Sequence, residues 1–177
     1  TRLQGDWSSD VCSSDLKRIF ANQTIRDVAV VGIDDPYSQA IAMGRQRPGG
    51  GRVIQISSEF GLARGVSAVD GHFYDSTGGQ AIRVGNLAEA EALPGRHNYQ
   101  NAAAAYAACQ ALGVAPGRIM AAMRTFPGLP HRMERVGDVG GVRFVNDSKA
   151  TNAQAAEQAL KTWSKVHWIA GDRKSVV

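Results

Sequence analysis

Apolar and polar positions fall into blocks that read as strand, helix and strand in turn. Residues 27–33 (Asp-Val-Ala-Val-Val-Gly-Ile) form an almost continuous apolar run, closed by Asp34-Asp35-Pro36. That is the pattern of a buried parallel strand followed by a polar loop. Pro36 suits the first turn of a helix with Asp35 as its cap, and the spacing carries that helix to about Met43. A Pro/Gly loop spans 45–51, and 52–57 (Arg-Val-Ile-Gln-Ile-Ser) reads as a second strand. Residues 66–74 and 80–84 read as half-exposed strands of a meander around a turn at 75–79.

Asn86 predicts a capped short helix to Leu93, ended by Pro94-Gly95. The Ala-rich segment 98–112 predicts a longer helix, since alanine is the best helix former and permits close packing. Pro116 opens a further helix to about Thr125, and Pro127-Gly128 interrupts the chain. Residues 133–136 and 142–145 flank Gly137-Asp138-Val139-Gly140-Gly141, a hairpin signal. Residues 151–163 carry Ala155, Ala156, Ala159, Leu160 and Trp163 at helical spacing, and 166–170 reads as a last apolar strand. The fold class is therefore α/β: a partial, parallel-rich sheet with helices over 17–127, then the start of a second α/β unit over 128–171. The hinge falls near 126–129.

Composition narrows the class without identifying it. The 177 residues are 44% hydrophobic and 20% charged, ordinary values for a globular protein that buries a real core. No apolar run approaches the ~20 residues of a membrane span, which excludes a spanning helix from the reading. Cys12 and Cys109 have neither metal spacing nor a disulfide framework, and a cytoplasmic compartment is expected. The net charge of +4 is scattered, with no interleaving of aromatic and basic residues, so nucleic acid is not expected as a partner. Two ends stand apart. Residues 1–16 repeat Ser-Ser-Asp and follow no structural period, and 172–177 resembles the same kind of sequence. Both read as non-native, adapter-like translation, which predicts that the natural part is a piece of a longer protein.

Three polar constellations could carry chemistry. The first is Gly95-Arg96-His97-Asn98-Tyr99-Gln100-Asn101 at the opening of the Ala-rich helix. His97 and Asn101 are four apart and share one face, beside free helix N–H groups that attract phosphate. The second is Gly128-Leu129-Pro130-His131-Arg132-Met133-Glu134 at the hinge, where Arg132 offers a planar fork to phosphate or carboxylate, or pairs with Glu134. The third is Asn146-Asp147-Ser148-Lys149-Ala150-Thr151-Asn152. Read alone, it is an Asx turn with Thr151 as helix cap, or a ligand loop in which Lys149 meets a carboxylate or phosphate and Asp147 orients a neighbour. A Gly-rich phosphate loop is absent from the sequence.

Taken together, Asp34-Asp35 after a strand, Leu-Pro-Gly-Arg-His-Asn-Tyr-Gln-Asn at 93–101, Gly-Leu-Pro-His-Arg-Met-Glu at 128–134 and Asn-Asp-Ser-Lys-Ala-Thr-Asn at 146–152 resemble the Mur ligases of peptidoglycan synthesis. Within that family the last motif most resembles the ligases that add D-glutamate. The resemblance covers about residues 17–171. It implies the second half of the central ATP-binding domain over 17–127 and the start of the Rossmann-like C-terminal domain over 128–171.

The resemblance further implies ATP and magnesium as cofactors, and UDP-N-acetylmuramoyl-L-alanine and D-glutamate as substrates, joined through an acyl phosphate by a monomeric enzyme. It implies ATP contacts for Asn98, Asn101, His131, Arg132 and Asp147, with Asp147 orienting Arg132. His97 or Asn98 falls in the phosphate–metal region, His97 and Lys149 are the catalytic candidates, and Lys149 and Thr151 would hold the carboxylates of D-glutamate. The family's phosphate loop and magnesium ligands would precede Lys17. Its carbamate-bearing lysine would match Leu16, so the metal ligands are unknown and Lys17 does not take that role. After Ala170-Gly171 the pattern departs at Asp172, so Lys174 is not matched to the family's lysine there. The chain alone is expected to be inactive, and either poorly soluble or dimerising through open strand edges. Two other readings remain open: a folylpolyglutamate synthase-like amide ligase, and a non-catalytic nucleotide-binding module.

Overall fold

The computed structural model describes residues 17–46 and 51–171; the expectations for 1–16, 47–50 and 172–177 lie outside the described residues. Five strands form the main sheet in chain order: β1 (Val28–Gly32), β2 (Arg52–Ser57), β3 (Val66–Val69), β4 (His72–Asp75) and β5 (Ile82–Asn86). The pairs β1–β2 and β2–β3 are parallel, and β3–β4 and β4–β5 are antiparallel. Between β1 and β2 runs α1 (Pro36–Arg45), capped as expected by Asp35, whose side chain accepts from the Ser38 N–H. A parallel connection usually needs a crossover of a dozen or more residues. The loop 58–65 is shorter because β3 starts where β2 ends, with Ile56 opposite Val66, so the chain only steps sideways.

Two long helices cover the other face: α2 (Arg96–Ala111) and α3 (Pro116–Arg124). The alternation of β1 shows why its run is apolar throughout. Ala29, Val31 and Ile33 join Ala42 of α1 in one cluster, while Val28 and Val30 pack against the other, larger one. That larger core holds Ile54, Ile56, Val66, Phe73, Tyr106 and Met120. On α2 the buried positions Asn98, Ala102, Ala103, Tyr106 and Ala107 follow the helical period, and the alanines among them let the helix pack close to the sheet. The Phe73 and Tyr106 rings lie 5.1 Å apart and tilted by 51°. The Tyr106 hydroxyl donates to Asp75 at 2.9 Å, which ties α2 to the end of β4; burial, then that hydrogen bond, raises the phenol's pKa.

Beyond Phe126 the chain forms the hairpin β6 (Glu134–Val139) and β7 (Val142–Asn146), then α4 (Ala153–Leu160). The hairpin turns on Gly140 and Gly141 alone, both with positive φ (57° and 79°), as a two-residue primed turn requires. No described helix is long and apolar enough to cross a membrane.

Several expectations need correction. The run 66–74 is two strands, β3 and β4, joined by a tight turn at Asp70-Gly71; β3 is buried rather than half-exposed. The Ala-rich helix starts at Arg96 rather than residue 98. The stretch after Asn86 is a single turn, Leu87–Glu89. The cap of α4 is Asn152, not Thr151: its side chain accepts from the Ala155 N–H at 2.8 Å. Residues 166–170 form no strand, pairing with no described strand, and Trp168 and Ile169 are exposed. The hairpin also shows Val136, Val139, Val142 and Phe144 to solvent, as expected for apolar faces without cover.

Candidate nucleotide site

The end of β1 and the start of α2 are joined by one carboxylate. Asp34 follows β1 and accepts from Ser57 Oγ, from Ser58 N–H (2.8 Å) and Oγ (2.9 Å), and from Gln100 Nε2 (2.8 Å). Burial pushes its pKa up, but the hydrogen bonds from Ser57, Ser58 and Gln100 together outweigh burial and hold it below the usual carboxylate range. The ends of β1 and β2 are thereby fixed to the first turn of α2, in which Gln100 lies between Asn98 and Asn101. Arg96 is held separately, its Nη1 donating to both carboxylate oxygens of Glu59 at 2.7 and 2.8 Å.

Gly95 precedes α2 with φ 88° and ψ 154°, a region essentially closed to side chains. A Cβ there would lie 2.6 Å from Thr162 Oγ1 and 3.1 Å from His97 Cε1. The residues just after α4 thus touch the opening of α2, and the two halves of the chain meet there. Next to this contact lies a cleft of about 360 Å³ lined by Leu87, Tyr99, Arg135, Arg143, Val145 and Trp163, among others. None of His97, Asn101, Arg132 or Asp147 lines it, so it adjoins the sequence-predicted residues without containing them.

The predicted residues lie in different settings. The charges of Asp147 and Arg132 both bear on the His97 ring. Burial lowers the pKa of His97, Asp147 raises it and Arg132 lowers it further, and the net shift is downward, so the ring favours its neutral form. His131 and Lys149 are joined through the backbone, the Lys149 N–H donating to the His131 carbonyl at 3.0 Å. Asn98 is not open to a ligand through its amide nitrogen: it is buried, and Nδ2 donates to the Pro94 carbonyl at 2.7 Å. Asn101, Arg132, Lys149 and Thr151 are exposed, and their side chains have no hydrogen-bond partner among the described residues.

The turn carrying Arg132 is unusual. His131 (φ 64°) and Met133 (φ 48°) are both left-handed, on either side of it, and Met133 is buried. Carboxylates hold both: the His131 N–H donates to Glu134 Oε2 at 2.8 Å, and the Met133 N–H to Asp147 Oδ1 at 3.0 Å. Asn146 Nδ2 donates to His131 Nδ1 at 2.9 Å and to Glu134 Oε2 at 3.2 Å. His131 Nδ1 is therefore an acceptor in this arrangement, with the ring proton on Nε2. The sequence offered Glu134 only as an ion-pair partner for Arg132 and Asp34 only as a motif residue after a strand, and it gave Gln100 no separate role. The only signal for Asp34 and Gln100 was an Asp after one strand and a Ser pair after the next. For Glu134 it was the hairpin register that places it opposite Asn146.

Among the described residues no group of three or more His, Cys, Asp or Glu could hold a metal ion. Exposed Arg132, without a hydrogen-bond partner among the described residues, and the His97 ring, which favours its neutral form, are groups suited to an anionic nucleotide.

No family model matches the chain. It is 50% identical over 155 residues to the UDP-N-acetylmuramoylalanine–D-glutamate ligase of Phenylobacterium zucineum, covering 88% of this chain and 33% of that protein. It is 51% identical over 155 residues to the ligase of the same name from Rhodospirillum rubrum, covering 88% and 32%. Among solved structures, MurF from Acinetobacter baumannii shares the fold at a TM-score of 0.66 and 20% identity, over 88% of this chain and 33% of that one. The chain spans about a third of the length of the curated relatives it matches. Over 88% of its length the chain is thus similar to about a third of a Mur ligase, in sequence to the ligases named for D-glutamate and in fold to MurF.

Proposed function

We propose that this chain is the part of an ATP-dependent D-glutamate ligase that closes over the nucleotide and receives the amino acid. The observation that carries the reading is that the chain is about half identical over 155 residues to proteins named as D-glutamate ligases, with Arg132 exposed on a turn whose backbone is held by Glu134 and Asp147. ATP, when bound, supplies the phosphoryl group that activates the carboxylate of UDP-N-acetylmuramoyl-L-alanine. Arg132 lies against its phosphates and offsets the charge that develops there. Neutral His97 accepts or donates a hydrogen bond beside them, and exposed Asn101 meets the nucleotide. His131 stands next to that edge, its ring fixed by Asn146. Asn98 serves this site from below, by closing the turn before α2. Asp147 acts through the Met133 N–H, so it orients Arg132 by way of the backbone. Lys149 and Thr151, on the exposed loop after β7, hold the carboxylates of D-glutamate and bring its amine to the activated carboxyl group. The intact enzyme works in the cytoplasm as a monomer, and its magnesium ligands lie outside the described residues. The family's fold alone would equally suit a folylpolyglutamate synthase-like enzyme, but the relatives' names favour D-glutamate.

Amino-acid selectivity tests this reading. For the intact protein, phosphate release from ATP with UDP-N-acetylmuramoyl-L-alanine is expected to depend on D-glutamate. L-lysine, diaminopimelate, D-alanyl-D-alanine and L-glutamate are expected to give background release. Stimulation by one of those others without stimulation by D-glutamate would refute it.

A further inference from the structure

We infer that Glu134 is a positioning residue for the nucleotide site: its carboxylate locks the left-handed turn at His131 and so leaves Arg132 free to meet phosphate. The inference rests on the nucleotide reading of the preceding subsection. In sequence, Glu134 is two residues from Arg132 and is an obvious ion-pair partner for it. The structure uses the carboxylate differently. Its Oε2 accepts the His131 N–H at 2.8 Å and the Asn146 amide at 3.2 Å. Arg132 keeps no partner among the described residues, while its charge is felt by His97. A left-handed bulky residue persists only where its surroundings fix it. Here two such residues bracket Arg132, one held by Glu134 and one by Asp147. Asn146 precedes Asp147 and faces Glu134 in the hairpin register, so the same carboxylate also steadies the loop that carries Asp147 and Lys149. Without Glu134 the His131 N–H would lose its acceptor, and that side of the turn would keep only the Lys149 N–H on its carbonyl and the Asn146 amide on its ring.

The role needs an acceptor oxygen, not a negative charge, so Glu134→Gln and Glu134→Ala separate it from simple electrostatics. In this chain, nuclear magnetic resonance reads the exchange of the His131 amide proton directly. Glu134→Ala is expected to speed that exchange by about tenfold, the worth of a hydrogen bond to a charged group, and Glu134→Gln by less than about threefold. Amides of β1 and β2 are expected to keep their rates in both variants. In the intact protein, Glu134→Ala is expected to raise KM for ATP by about tenfold and to lower kcat as well, and Glu134→Gln to restore both. Unchanged His131 exchange, an unchanged KM for ATP in Glu134→Ala, or a glutamine variant as impaired as the alanine one would overturn the inference. If the wild-type protein shows no D-glutamate-dependent turnover, the proposed function fails, whereas the exchange rates still decide whether Glu134 holds the turn.

Discussion

Arg132→Ala in the intact ligase is expected to lower kcat/KM for ATP by about a hundredfold to a thousandfold, the usual loss when a charge aimed at a reacting phosphoryl group is removed. The thermal midpoint is expected to stay within about 1 °C, because an exposed side chain with no partner contributes little to stability. The same reasoning separates this residue from its neighbours. Arg135 and Arg143 are engaged with Asp138, and Arg96 with Glu59, so their charges are already offset. Arg132 is exposed, and its turn is held by two carboxylates through backbone N–H groups. Arg132→Lys is expected to recover only part of the loss, since an ammonium keeps the charge but not the planar fork. Steady-state kinetics with ATP varied, beside a thermal melt, checks both halves. Activity within threefold of wild type would remove Arg132 from the site.

Gly95→Ala is expected to destabilise the chain by about 1–3 kcal/mol through backbone strain alone, and by more through the clash it creates. At φ 88° and ψ 154° an added Cβ sits 2.6 Å from Thr162 Oγ1. Thr162 lies just beyond α4, so this contact joins the opening of α2 to the second half of the chain. Thr162→Ala removes the nearer clash but not the strain. In a double-mutant cycle, Gly95→Ala is expected to cost about 1 kcal/mol less in the Thr162→Ala background than in wild type. Denaturant unfolding of the four proteins measures it. A cost independent of residue 162 would mean that the two segments do not touch as described. Activity in the intact ligase is expected to fall as well, because the His97 ring lies 3.1 Å from the same Cβ position.

The parts of the fold legible in the sequence were those whose signals are local. The doubly buried strand β1 and its capped, proline-opened helix α1 were visible because run, cap and proline lie within one continuous stretch. The boundary between β3 and β4 carries a local signal as well, Asp70-Gly71 between two short runs, which a reading of 66–74 as one segment passes over. The run 166–170 looked like a strand because its composition suits one, but a strand exists only where a neighbour supplies a ladder. The site divides in the same way. His97, Arg132, Asp147 and Lys149 stood out as polar groups at element ends. The carboxylates that arrange them did not. Asp34 and Gln100 are 66 residues apart, and Glu134 meets Asn146 only through the register of the hairpin. The burial of Asn98 was hidden too, since an Asn at a helix start reads the same whether it faces a ligand or a carbonyl.

The most direct measurement places residues 17–171 of this chain in the matching segment of a curated D-glutamate ligase. It then follows phosphate release from ATP with UDP-N-acetylmuramoyl-L-alanine, with and without D-glutamate. The account predicts D-glutamate-dependent release within about tenfold of the parent enzyme, lost on Arg132→Ala. A hybrid that folds and binds ATP yet gives the same release with and without D-glutamate would contradict it.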